Sequence, residues 1–223
     1  MRFMDRTEAG RALASSLEHL RGTDLVVLGL PRGGVPVAYE VAKSLGAPLD
    51  VIVVRKLGVP FQPELAMGAI GEGGIRVRNE DVIRRGGITQ HEIDTVEERE
   101  RADLDQQARR FRDGRPLVSV AGRTAIVVDD GIATGATMRV ALQAVRRRAP
   151  ARLVMAVPVA PPDTLAALLE EAADEAVCLE TPIGLGAIGY FYRDFHQMSD
   201  AEVTELLARA PRSTGGDPAN PAS

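Results

Sequence analysis

Two adjacent carboxylates, Asp129 and Asp130, end the apolar run Ala125-Ile-Val-Val and lead into Gly-Ile-Ala-Thr-Gly-Ala-Thr, residues 131–137. Small residues and hydroxyls in that order suit an anion. Gly131 and Gly135 let the backbone approach a phosphate closely, the hydroxyls of Thr134 and Thr137 add donors, and a helix starting beyond them presents unpaired N–H groups. The aspartates would repel that same phosphate, so they must face another part of the ligand, either sugar hydroxyls, which donate to carboxylates, or a hydrated Mg²⁺. A ribose 5-phosphate offers a phosphate and a diol together. Taken singly, either aspartate reads as ordinary loop chemistry; the ordered set is what points to a site.

Such a turn needs a strand before it and a helix after it. Five valine- and isoleucine-rich runs read as strands: Asp24–Leu30, Leu49–Arg55, Thr124–Asp130, Arg152–Val159 and Glu175–Glu180. They are apolar without alternation, as strands covered on both faces are, and amphipathic segments separate several of them. The pattern predicts an α/β fold with a mainly parallel five-stranded sheet flanked by helices. Pro36 opens one helix, which ends at Leu45 before Gly46 and Pro48. Thr89 with Glu92, and Ser199 with Glu202, have capping-box spacing. The first box opens a charged helix to about Arg112, with Ile93, Val96, Leu104, Ala108 and Phe111 as its apolar stripe and its charges as a solvated face. Residues 56–88 are rich in glycine and too long for a plain connector, with a hairpin signal at Gly73-Gly74. One domain over residues 1–210 and a disordered tail over 211–223 are expected.

The chain has 223 residues, a formal net charge of −4, 45% hydrophobic and 26% charged residues, which is a globular composition. No stretch reaches the ~20 apolar residues of a membrane span, and the charged N-terminus has no apolar segment behind it, so no membrane association and a cytoplasmic location are expected. Cys178 is the single cysteine, and His19, His91 and His196 are scattered, which excludes an intrachain disulfide and argues against a zinc site built by the protein. The acidic balance argues against nucleic acid as a partner.

The stretch 125–138 resembles the phosphoribosyl-pyrophosphate (PRPP) signature of the type I phosphoribosyltransferases, an apolar strand, two acidic residues and Thr-Gly-x-Thr. The resemblance implies that Asp129 and Asp130 contact the ribose hydroxyls and serve the metal, either directly or through water and those hydroxyls, and that Ala133, Thr134, Gly135, Ala136 and Thr137 wrap the 5′-phosphate. Leu30-Pro-Arg-Gly-Gly-Val-Pro36 is similar to the family's pyrophosphate loop, with Arg32 as a cation and Gly33-Gly34 as permissive backbone. Arg55 and Lys56, one of only two lysines beside 25 arginines, take the place of diphosphate contacts. The segment from Leu57 to Gly74 resembles the loop that closes over PRPP, with the whole lid region spanning about 57–88. A small base-selecting hood would fall at about 181–198.

As a whole the chain resembles a bacterial branch of that family whose substrates the resemblance does not name. It implies a Mg²⁺-dependent enzyme of nucleotide metabolism that moves ribose 5-phosphate from PRPP to a nitrogenous base and releases pyrophosphate, with Asp129, Asp130, Lys56 and Arg55 as its catalytic residues. A non-catalytic PRPP-sensing regulator is the alternative, and a homodimer is left open. Ala133 departs from members acting on 6-oxopurines, which usually carry an aspartate there.

Gly184-Leu-Gly-Ala-Ile-Gly189 spells a dinucleotide fingerprint, but Tyr-Phe-Tyr-Arg-Asp-Phe follows instead of an apolar helix. The aromatic cluster Tyr190, Phe191, Tyr192 and Phe195 suits either base stacking or ordinary packing.

Overall fold

A computed structural model describes residues 2–211. The expected tail therefore lies, apart from Pro211, outside the described residues. In chain order the elements are α1 (Arg6–Ser16), β1 (Leu25–Gly29), α2 (Gly34–Leu45), β2 (Leu49–Val51), β3 (Val54–Val59), β4 (Gln62–Gly71), β5 (Ile75–Arg78), α3 (Glu80–Gly86) and α4 (Gln90–Arg112). They continue with β6 (Thr124–Val128), α5 (Ala136–Arg146), β7 (Arg152–Val159), α6 (Pro162–Glu171), β8 (Glu175–Glu180) and α7 (Asp200–Arg209).

The main sheet has the order β2-β1-β6-β7-β8, parallel throughout, and each of the five predicted strands contributes to it. Alternate side chains go to opposite faces. Leu25, Val27, Ile126 and Val128 join the core under α1, α2, α4 and α7, while Val26, Leu28, Ala125 and Val127 join the core under α5 and α6. Both faces of β1, β2, β6 and β7 are covered, which is why these strands read as unbroken apolar runs, while the edge strand β8 is half-buried. The helices after β1 and β6 cover opposite faces, so the connections diverge at these two neighbouring strands, and a crevice opens between their carboxyl ends. Pro31–Gly34 and Asp129–Thr137 follow those two ends.

The run Leu49–Arg55 divides between two sheets. Its first half is β2; after Ile52 and Val53 the chain enters β3 of a second, antiparallel sheet, β3-β4-β5. Where the sequence suggested a lid of loop and hairpin over 57–88, the chain forms this three-stranded sheet followed by α3. The hairpin at Gly73-Gly74 joins β4 to β5 as expected. Glycines and a register shift at Gly58 hide the strand periodicity, yet Leu57, Val59, Met67, Ile70 and Ile75 are buried.

A buried ion cluster anchors this sheet at its base. Arg112 donates through Nε to Asp50 Oδ1 at 2.8 Å and through Nη1 and Nη2 to the Glu72 carboxylate, each at 2.8 Å. The free lone pairs are also used: Asp50 Oδ2 accepts from the Val118 amide and Glu72 Oε1 from the Val53 amide, both at 2.8 Å. The reading of the α4 charges as one solvated face is therefore corrected, since Arg112 and Glu97 are buried. The predicted apolar stripe of α4 is buried as expected, and both capping boxes form. Among the described residues, no helix is long and apolar enough to cross a membrane.

Candidate active site

The loop after β1 and the loop after β6 meet face to face, and glycine is what lets them. An ideal Cβ on Gly34 would lie 2.7 Å from the Val128 carbonyl oxygen and 2.8 Å from Asp129 Cα. One on Gly33 would lie 2.0 Å from Asp130 Oδ2. The Pro31–Arg32 peptide is cis. Main-chain bonds tie the crevice together: the Leu30 amide donates to the Val128 carbonyl at 2.8 Å and the Ile132 amide to the Val159 carbonyl at 2.8 Å.

Beyond the aspartates the backbone turns at Gly135, whose φ of 78° is left-handed and favours glycine. Thr134, Ala136 and Thr137 are exposed around it. No side chain caps α5, and the same holds for α2 and α6, which also follow strands of the main sheet at this edge. By contrast α1, α3, α4 and α7 are capped by Asp5, Asn79, Thr89 and Ser199. The first amides of α5 are thus open to an anion at the positive end of the helix dipole.

Asp129 and Asp130 sit side by side in a desolvated setting. Asp129 Oδ1 accepts from the Asp130 amide at 2.9 Å. Burial and the adjacent Asp130 charge push the Asp129 carboxyl well above the usual carboxylate range. Burial also raises Asp130, against the pull of Arg6, whose Nε donates to Asp130 Oδ2 at 2.8 Å. Two ionised carboxylates held like this gain from hydroxyl donors or a hard cation. Among the described residues, no group of three or more His, Cys, Asp or Glu could hold a metal by itself. The donor set fits Mg²⁺ arriving with a ligand rather than a resident ion.

The candidate cations lie further out. A cleft of about 860 Å³ is lined by Pro31 and Thr137 from the two loops, Arg55 and Lys56 from β3, and His91, Thr95 and Arg99 on one face of α4. Arg55 Nη2 bonds Asp103 Oδ2 at 3.0 Å, and its Nε lies 3.3 Å from Glu100 Oε2. Lys56 Nζ bonds the Glu64 carbonyl at 3.3 Å and lies 3.7 Å from its carboxylate. Arg32 does not join that wall: its Nε donates to Asp200 Oδ1 at 2.7 Å, while Arg110 holds the other oxygen at 2.7 Å.

Sequence reasoning missed Arg6 and Asp200 here, and it named Tyr192 only as a member of the aromatic cluster. Arg6, Tyr192 and Asp200 bond Asp130 or Arg32 from the chain's two ends. The start of α1 is signalled by Asp5, which accepts from the Glu8 amide as an N-cap, but nothing local points to Arg6. Of the aromatic cluster, Tyr192 is buried and packs on Phe3, with ring centroids 5.7 Å apart, whereas Tyr190 is exposed. Gly184–Gly189 leads into one 3₁₀ turn, Ile188–Phe191, not a dinucleotide-binding helix. Burial raises the Cys178 thiol, which donates to the Glu180 carbonyl and has no nucleophilic setting.

Residues 6–181 match the model of the phosphoribosyl transferase domain. Two proteins from different strains of Mycobacterium tuberculosis, both carrying provisional phosphoribosyl transferase names, are 55% identical over 210 residues, which is 94% of this chain. That alignment covers 47% of each relative, so the chain spans about half their length. The crystal structure of TT1426 from Thermus thermophilus superposes with a TM-score of 0.79 at 44% identity, over 94% of this chain and 99% of the other.

Proposed function

The chain belongs to the phosphoribosyl transferase domain family, and from that premise we propose that it transfers ribose 5-phosphate from PRPP to a nitrogenous base, releasing pyrophosphate. The observation that carries this reading is the juxtaposition of the Asp129–Asp130 pair with the uncapped start of α5, across from Gly33-Gly34. The carboxylates bind the ribose 2′ and 3′ hydroxyls, and the amides and hydroxyls of residues 133–137 bind the 5′-phosphate. Breaking the bond at the anomeric carbon leaves positive charge on the ribose and negative charge on the diphosphate. Arg55, Lys56 and the amides of the Arg32–Gly34 loop stabilise the latter. Mg²⁺, when bound with the substrate, neutralises part of the diphosphate charge. Within the segment Leu57–Gly74, whose Leu57, Val59, Met67 and Ile70 are packed in the core, the exposed tip at 60–65 closes over the ligand and excludes water from the anomeric carbon.

The test is calorimetric titration of Mg²⁺-PRPP, with ribose 5-phosphate as control, into the wild-type protein and the Asp129→Asn/Asp130→Asn double variant. Binding that depends on the aspartates is the expected result; no binding by the folded wild-type protein at millimolar ligand overturns the assignment. A panel of purine, pyrimidine and related bases then reads pyrophosphate release. Ala133 removes the carboxylate expected of a 6-oxopurine site, so adenine and orotate head that panel. Tight PRPP binding with no release on any base would make the protein a PRPP sensor instead.

A further inference from the structure

Asp130 is gripped by groups that the signature does not contain. Its Oδ2 accepts from Arg6 Nε at 2.8 Å across 124 residues of chain, and the two side chains are only 12% and 9% exposed. The rest of the guanidinium is engaged as well. Arg6 Nη1 donates to the His196 carbonyl at 2.9 Å, and Cζ lies 4.0 Å from the Phe195 ring centroid. Phe195 stacks in turn on Tyr192, centroids 5.0 Å apart, and the Tyr192 hydroxyl donates to the Asp130 carbonyl at 2.6 Å. Main-chain bonds from Phe3 to Phe191, Arg193 to Phe3 and Asp194 to Met4 join the two chain ends that supply these groups.

A buried ion pair costs desolvation, and removing one partner strands the other, so the pair fixes geometry more than it adds stability. Here a single guanidinium N–H, Nε, engages Oδ2 and leaves Oδ1 outside the ion pair, while Nη1 is held by the His196 carbonyl. We infer that Arg6 is a positioning residue for the ribose subsite: it fixes the Asp130 carboxylate so that Oδ1 meets the sugar hydroxyl, with Phe195 and Tyr192 holding Arg6 and Asp130 in register. This rests on the ribose 5-phosphate reading of the site. In this role Arg6 acts through Asp130, the carboxylate it bonds. On the diphosphate side Arg55 and Lys56 pair with Glu100, Asp103 and Glu64 rather than with Arg6 or Asp130, and only Gly33, packed against Asp130 Oδ2, borders both.

That separation gives the experiment its readout. Ribose 5-phosphate, Mg²⁺-PRPP and Mg²⁺-pyrophosphate are titrated into the wild type and into the Arg6→Met, Arg6→Lys and Phe195→Leu variants, each checked for cooperative thermal unfolding. Arg6→Met is expected to weaken both ribose ligands about ten- to a hundredfold, the size of one hydrogen bond to a charged group, and to leave pyrophosphate within about twofold. Arg6→Lys should recover part of the loss, and Phe195→Leu should show a smaller loss in the same ligands. Should Arg6→Met not fold, the Lys and Leu variants carry the same comparison. Wild-type affinity for ribose 5-phosphate in the folded variants, or an equal loss for pyrophosphate, overturns the inference while leaving the transferase reading standing. A wild-type protein that binds neither ribose ligand overturns both.

Discussion

The two halves of the crevice are built in opposite ways. On the aspartate side, Asp130 is held by a buried arginine, a tyrosine hydroxyl and a glycine without room for a methyl group. On the cation side, Arg55 and Lys56 are one-third to one-half exposed and paired with carboxylates of Glu100, Asp103 or Glu64, while Arg32, equally accessible, is turned away from them onto Asp200. One half is organised before any ligand arrives. The other has its cations tied to protein carboxylates, which, on the proposed reading, a diphosphate would replace. The difference matches the chemistry assigned to each: a neutral diol needs acceptors aimed in advance, whereas a polyanion attracts mobile cations over several ångströms and is less sensitive to their starting positions.

The sharpest way to break this comparison is to neutralise the rigid half. Asp129→Asn with Asp130→Asn is expected to weaken PRPP about a hundredfold or more, since each carboxylate gives up a charge-assisted bond of roughly 1.5–3 kcal/mol; calorimetry reads it. Gly34→Ala comes next. The new methyl would meet Val128 and Asp129 backbone atoms, which cannot swing aside, so a loss of about 1–3 kcal/mol in thermal or denaturant unfolding is expected.

Asp129→Asn alone should do the reverse to the ligand-free protein, raising stability by about 0.5–2 kcal/mol while damaging binding. The sign follows from linkage. The folded Asp129 carboxyl is raised, so the folded state holds that proton more tightly than the unfolded chain does. Stability is gained as pH falls from neutral through the folded value, and the gain levels off below the unfolded value near ~3.9. Unfolding curves across that range should lose this gain in the variant.

The more exposed half should respond more gently. Arg55→Gln with Lys56→Gln is expected to cost about three- to tenfold in Mg²⁺-pyrophosphate affinity, to shrink that difference in high salt, and to leave unfolding within about 0.5 kcal/mol. The smallest effect is a gain. Asp200→Asn releases Arg32 from its exposed ion pair, so pyrophosphate binding should tighten by up to about fivefold, the reach of a pair worth roughly 0.2–1 kcal/mol. A loss of affinity in Asp200→Asn would show that Arg32 serves by anchoring its loop to α7.

Much of this molecule was readable residue by residue, because the deciding interactions span a few positions. Thr89 with Glu92 and Ser199 with Glu202 cap helices within one turn, Gly46 ends α2 in the left-handed conformation, and the doubly covered strands show in their unbroken apolarity. The strand, aspartate pair, small-residue turn and helix of 124–146 were legible for the same reason, and so was the order of the loops that converge on them.

What the sequence alone left undecided depends on partners distant along the chain. No local rule distinguishes Arg112, buried between Asp50 and Glu72, from the solvated arginines beside it on α4. Nor does any single out Arg6, which reaches Asp130 across 124 positions. Asp200, a first-turn acid of α7, accepts from arginines 168 and 90 residues away. Sequence determined which segments become strands, helices and the turn at the signature. Tertiary structure decided which charges are buried, which acid faces which base, and hence which half of the site is rigid, because a charge's role is set by neighbours that only folding brings within a few ångströms.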